Sequence, residues 1–300
     1  MFSFIKKFFT IIQKDIKMEI IIGKNAGFCY GVKRAVDNAL IEAKKGKVYC
    51  LGDIVHNKNV VNNLKESGIE FINDIQQKNS TTIIRPHGEN KIVYKKAKEM
   101  GIKLIDLTCP SVLKIHGIVS QYSKEGYYII ITGKRNHPEV LGIKSYVQSN
   151  CIIISNIEEL YESIEEISKE KKVLLISQTT YNSKSFKDIA NFLKERLNGD
   201  TDLVIKNTIC LTTENRQKET REIAQKVNAM IIIGDKKSSN TTELYNIALN
   251  YCANTQFIPN PEEIDLDKIK GIKKIGIMAG ASTPKEDIHK AKEILLKNNY

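Results

Sequence analysis

Residues 18–51, MEIIIGKNAGFCYGVKRAVDNALIEAKKGKVYCL, decide the fold. The run 18–23 is apolar on consecutive residues, as in a strand covered on both faces. A Gly- and Asn-containing turn follows. Val32, Ala35, Val36, Ala39, Leu40 and Ala43 then recur at helical spacing, and a second apolar run occupies 47–51. Strand, helix and strand joined by short connections form the repeating unit of a parallel sheet.

Outward from this unit the same alternation continues. Apolar runs rich in Ile and Val occupy 81–85, 103–107, 127–132, 150–155, 172–177, 202–206, 229–234, 254–258 and 273–279, with helical patterns between them. Ile189, Phe192, Leu193 and Leu197, for example, share one helix face before the run 202–206. The fold class is therefore α/β. Three hundred residues exceed one hydrophobic core. The element order repeats coarsely, three or four units at a time, without a residue-by-residue repeat. That order predicts an α/β domain over 18–108, a second over 109–206, and a third over 207–300 that includes a C-terminal helix. No Gly/Ser linker separates them, so they must pack closely.

Residues 1–17, MFSFIKKFFTIIQKDIK, stand apart as an N-terminal extension. Phe2, Ile5, Phe9, Ile12 and Ile16 share one helical face opposite lysines, which suits a helix lying on a membrane surface. An appendage is the favoured alternative, since Met18 opens the first strand directly. A signal peptide is not expected, because lysines interrupt the apolar part and no small-residue cleavage site follows.

Apolar residues make up 41% and charged residues 27%, ordinary for a globular protein. The formal net charge is +11, yet the lysines are scattered over every helix, without an arginine-rich run or interleaved aromatics. Nucleic acid is therefore not the expected partner; a diphosphate substrate or an acidic electron donor suits the charge equally well. Six cysteines are too few for a disulfide scaffold in a chain this long, so a reducing cytoplasm is expected. No apolar run reaches the length of a transmembrane helix.

In open α/β sheets, ligands bind beyond the carboxyl ends of the strands. Nine such ends carry polar clusters: GFC, GDIVH, PHGE, TCP, GKRNHPE, SQTT, NTIC, GDKKSSN and AGASTP. Cys29, Cys109 and Cys210 lie in three of these turns, where a thiol points away from the core. Three thiolates converging from separate strand ends suit an iron–sulfur cluster with one iron left open. Their spacing matches no local zinc or ferredoxin motif, so spacing alone does not identify the metal. Cys50, Cys151 and Cys252 read as small hydrophobes of strands or helix ends.

His56, His87 and His137 occupy the same kind of turn and are candidates for anion binding or proton transfer. His116 and His289 lie in charged helical stretches and read as solvated. Glu139 is the carboxylate best placed to deliver protons. Thr179 and Thr180 could bond a substrate hydroxyl or simply cap a helix. Asn240 with Glu243 reads as a capping box. Thr283, Pro284 and Glu286 read as cap, first and third helix positions. Both helix starts could hold phosphate, with Ser238, Ser239 and Ser282 left free to face it.

Taken in order, AGFCYGVKRAV, LGDIVHN, RPHGE, DLTCPSV, HPEV, SQTT, NTIC…NRQ, SSNT and GAST resemble the IspH/LytB family of 4-hydroxy-3-methylbut-2-enyl diphosphate reductases, over residues 18 to about 297. The resemblance implies three α/β domains around a central cavity. Cys29, Cys109 and Cys210 would hold a [4Fe–4S] cluster whose fourth iron has no protein ligand. His56, His87, Ser238, Asn240 and Ser282 would bind the diphosphate, with Ser239 nearby. His137, Thr179 and Glu139 would surround the terminal hydroxyl. The implied reaction is reductive loss of that hydroxyl, giving isopentenyl and dimethylallyl diphosphate in the methylerythritol phosphate route, with ferredoxin or flavodoxin as donor. The extension and Tyr30, found where relatives more often carry a smaller residue, depart from the pattern; Tyr30 would either crowd the cluster or pack beside it. Rival readings are a [4Fe–4S] dehydratase or quinolinate-synthase-like enzyme, and a non-catalytic redox sensor. In the sensor, the turn histidines and Glu139 would have no role.

Overall fold

A computed structural model describes residues 18–75, 78, 80–197 and 199–298 of the chain. The extension 1–17 lies outside the described residues. The strands are β1 (Glu19–Ile22), β2 (Val48–Leu51), β3 (Ile69–Ile72), β4 (Thr81–Ile84), β5 (Lys103–Asp106), β6 (Tyr128–Thr132), β7 (Cys151–Ile154), β8 (Lys172–Ser177), β9 (Asp202–Ile205), β10 (Ala229–Ile233), β11 (Thr255–Ile258) and β12 (Lys274–Ala279). The helices are α1 (Tyr30–Ala43), α2 (Lys58–Glu66), α3 (Lys91–Glu99), α4 (Pro110–Lys124), α5 (Pro138–Ser145), α6 (Ile157–Ile167), α7 (Ser183–Arg196), α8 (Leu211–Ala224), α9 (Ser239–Leu249) and α10 (Lys285–Lys297). Among the described residues no helix is long and apolar enough to cross a membrane.

The strands form three parallel four-stranded sheets, ordered β3-β2-β4-β5, β7-β6-β8-β9 and β11-β10-β12-β1. Each sheet has the same plan. Its second strand lies outermost on one side, followed by the first, the third and the fourth. In the last sheet the fourth place is taken by β1, paired with β12 from Glu19↔Lys274 to Ile22↔Ile277. This corrects the linear division of the chain. Residues 18–23 do not open the first sheet; they close the third. A strand's own composition does not encode which parallel neighbour it will meet.

Strand residues alternate between two apolar layers. In the third sheet Ile231, Ile233, Ile275 and Ile277 face one layer. Met230, Ile232 and Met278 face the other. In the second sheet Tyr128, Ile130, Val173 and Leu175 oppose Ile129, Ile131, Leu174 and Ile176. Covering both faces explains the near-continuous apolar runs. β3 escapes the sequence pattern because it is an edge strand of four residues, IEFI, with Glu70 exposed and pairing only with β2.

Candidate active site

The common sheet plan sorts the nine polar turns by position. The first strands, β2, β6 and β10, lead into His56, His137 and the Ser238-Ser239-Asn240 run. The third strands, β4, β8 and β12, lead into His87, Thr179 and Ser282. The fourth strands, β5, β9 and β1, lead into Cys109, Cys210 and Cys29. The outer second strands contribute none of these residues. All twelve candidate residues, Glu139 included, line one cavity of about 790 Å³, counting space continuous with solvent.

Each cysteine is the residue just before a helix: Cys29 before α1, Cys109 before α4 and Cys210 before α8. His137 and Ser238 hold the same place before α5 and α9. Five helix N-termini therefore meet at this cavity, and their partial positive charge favours anions there. All three thiols are free and half-buried. Burial raises the Cys109 thiol, and the neighbouring Cys29 and Cys210 add to the shift. A side chain on Gly31 would put its Cβ 2.9 Å from Cys109 Sγ and 4.0 Å from Cys29 Sγ. Space beside the sulfurs is thus open only because residue 31 is glycine. Half-buried unpaired thiols around an open space, with no carboxylate among them, fit a soft metal cluster.

The histidine rings lie beside one another, with centroids 5.1 Å apart for His56–His87, 5.5 Å for His87–His137 and 6.1 Å for His56–His137. Burial lowers the pKa of His56. His87 is pushed well below the ordinary value, by burial first and then by repulsion from the other two. His137 falls to about 3, chiefly through burial. Burial therefore disfavours the charged form of all three.

Nitrogens of the three lie within 4.8 Å of one another, close enough for a metal ion. The tautomer of His137 argues otherwise. Its Nδ1 accepts the backbone N–H of Glu139 at 3.2 Å, which leaves the proton on Nε2. The ring's free edge is then a donor, as an anion requires, and not a metal-binding lone pair.

Glu139 is buried, 2% exposed, and its carboxylate accepts from Thr179 N at 2.6 Å and Thr179 Oγ1 at 2.8 Å. Burial raises its pKa to about 7, against the lowering effect of those two bonds. Asn240 is 3% exposed, and neither its amide oxygen nor its nitrogen has a partner within the protein. His87 Nδ1 is likewise buried and unpartnered. Orphaned buried groups of this kind await a ligand or water.

Several local expectations change. Ser238, not Asn240, caps α9, accepting from Thr241 N at 3.3 Å, and Asn240 sits inside the first turn with its side chain free. Thr283 donates to Ile233 O at 3.0 Å, and α10 starts after Pro284 without a side-chain cap. His116 is buried, 4% exposed, and stacks on Tyr146 at 4.2 Å. Its helix shows charge on the opposite face. Tyr30 is 77% exposed and is not part of the cavity lining.

Sequence reading missed Arg216, a cavity-lining side chain that is only 2% exposed. An arginine at an inward position of an otherwise polar helix was the available signal.

A family model described as LytB protein matches residues 20–296. The chain belongs to the LytB family. It is 40% identical over 274 residues to a 4-hydroxy-3-methylbut-2-enyl diphosphate reductase of Thermoanaerobacter sp. (strain X514), covering 89% of this chain and 93% of that one. The reductase of Clostridioides difficile (strain 630) is 40% identical over 271 residues, with 89% and 95% covered. A solved (E)-4-hydroxy-3-methyl-but-2-enyl diphosphate reductase, described as the terminal enzyme of the non-mevalonate pathway, shares 38% identity at TM-score 0.68, covering 93% of this chain and 99% of that structure. The Plasmodium falciparum enzyme, named E-1-hydroxy-2-methyl-but-2-enyl-4-diphosphate reductase, shares 27% at TM-score 0.84, covering 93% and 88%.

Proposed function

We propose that this LytB-family chain is a 4-hydroxy-3-methylbut-2-enyl diphosphate reductase, acting in isoprenoid biosynthesis. Family membership supports the activity. The residue roles rest on one observation: thiols, anion-binding donors and a buried acid of raised pKa line a single cavity.

Cys29, Cys109 and Cys210 would hold a [4Fe–4S] cluster, with three cysteines for four irons. When bound, such a cluster supplies electrons singly and the Lewis acidity of an iron that has no protein ligand. Ferredoxin or flavodoxin is the donor class suggested by the family.

His56, His87, Ser238, Asn240 and Ser282 bind the diphosphate, with Ser239 beside them. Among the described residues, no lysine or arginine apart from Arg216 lines the cavity, so neutral donors and helix N-termini meet the anion. Its charge raises the histidine pKa values, and binding draws in protons.

At the other end, Thr179 donates to Glu139 and keeps its lone pairs for the substrate's terminal hydroxyl. His137 offers Nε2–H to the same oxygen. Glu139, partly protonated near neutrality, supplies a proton across a short path. Two electrons and two protons convert substrate to product and water. One proton leaves with the hydroxyl oxygen and the other ends on an allylic carbon, giving isopentenyl or dimethylallyl diphosphate.

Anaerobic protein supplied with a one-electron reductant and the allylic diphosphate should form both products. Absence of reductant-dependent product with a fully loaded cluster would refute the reading.

A further inference from the structure

Arg216 is a buried cation that, among the described residues, makes no ion pair with a carboxylate. It lies six residues into the helix that Cys210 opens, is 2% exposed, and lines the cavity beside the thiols. Nε donates to Asn25 O at 2.7 Å and Nη2 to Gly27 O at 2.8 Å. Glu219, on the same helix, favours the guanidinium's charge from a distance, but its oxygens are turned to other donors. Its oxygens accept Lys24 N at 2.7 Å, Asn25 N at 2.8 Å and Asn25 Nδ2 at 2.9 Å.

Taking a guanidinium out of water without a counter-charge is strongly unfavourable. Two backbone carbonyls accept two of its five N–H donors but do nothing for its charge. Nearby anions must offset it: Cys29 and Cys210, followed by Glu219, favour its charged form against burial. The two carbonyls it grips also belong to the turn between β1 and Cys29, where Gly27 adopts φ +91°. That turn is held at its start by Glu219 and at its end by Arg216.

We propose that Arg216 is a positioning residue for the cysteine triad: it clamps the turn that presents Cys29 and is the fixed counter-charge of the assembled sulfurs. This rests on the iron–sulfur reading above. A fixed cation beside a redox group favours its reduced, more negative form. A lysine keeps the charge but cannot span two carbonyls as the planar fork does.

The experiment compares R216Q and R216K with the parent, anaerobically purified and matched for iron. Midpoints come from spectroscopically monitored redox titration, and turn mobility comes from deuterium uptake at residues 24–29. R216Q should lower the one-electron reduction equilibrium at least about tenfold, a shift of roughly 59 mV to more negative potential. R216K should restore most of the potential, yet leave the turn exchanging roughly tenfold faster than the parent. An R216Q midpoint equal to the parent's overturns the counter-charge; turn exchange equal to the parent's in R216K overturns the clamp. If R216Q does not fold, R216K carries the test: a midpoint moved as far as tenfold overturns the counter-charge, and its exchange decides the clamp. A parent that carries no iron–sulfur absorption overturns the functional reading itself.

Discussion

Replacing Glu139 with Gln should make the protein more stable and far less active, with the gain confined to higher pH. The acid is fully enclosed, and burial lifts its pKa from 4.5 to about 7. A raised carboxyl pKa means that the folded state prefers the neutral form. The associated stability is complete below the unfolded value and is lost as pH rises through the folded one. At about 1.36 kcal/mol per unit, ionising Glu139 removes roughly 3 kcal/mol by pH 8. Glutamine has the same shape, still accepts from Thr179 N, and never ionises. The variant-minus-parent difference should therefore be small near pH 4.5 and reach about 3 kcal/mol near pH 8, roughly 5 °C in melting temperature for a chain this long. Turnover should fall about 10²- to 10⁴-fold. Anaerobic melts of both proteins across this pH range, beside product formation, supply the assay. A melting difference that does not change with pH would refute the electrostatic reasoning, and parental turnover would refute the proton role.

Three further outcomes follow from the cavity. Cys109→Ser should abolish the visible absorption of the anaerobically purified protein; an unchanged spectrum rules out ligation. Gly31→Ala directs its methyl to within 2.9 Å of Cys109 Sγ, so iron content should drop while secondary structure persists, and full iron loading would contradict this account. Diphosphate binding should take up protons, because burial holds His56 and His87 below the ordinary histidine pKa and the arriving anion raises both; affinity then rises as pH falls. Calorimetry in buffers of different ionisation enthalpy reads the uptake directly, and buffer-independent heats would exclude it.

Much of this site was legible because chemistry and topology coincide. Parallel strands deliver side chains to one end, so polar turns after apolar runs mark the ligand-binding edge before any contact is known. All nine turns singled out from sequence are the first, third and fourth strand ends of the three sheets. Pairing was less legible. β1 has the composition of any buried strand, and nothing local tells it to join β12. β3 hides because an edge strand need not be apolar throughout. His116 was misread because charge near a helical residue says little about which face it occupies; its ring stacks on Tyr146, a partner thirty positions away. Arg216 escaped for a related reason: only the turn after β1 folded against α8 shows that its guanidinium meets carbonyls and lies near two cysteines, with no ion-paired carboxylate among the described residues.

The pairing of the first strand with the last also governs when the molecule can finish itself. β1 leaves the ribosome well before its neighbour β12, which is translated on the order of tens of seconds later. Cys29 N bonds to Ala281 O at 3.4 Å, and Gly27 N to Ala279 O at 3.3 Å, so the loop bearing the first sulfur takes its final shape from the end of the chain. A nascent polypeptide can complete two sheets while its opening strand waits unpaired. The final position of Cys29 is thereby deferred until β12 and the loop after it have been made.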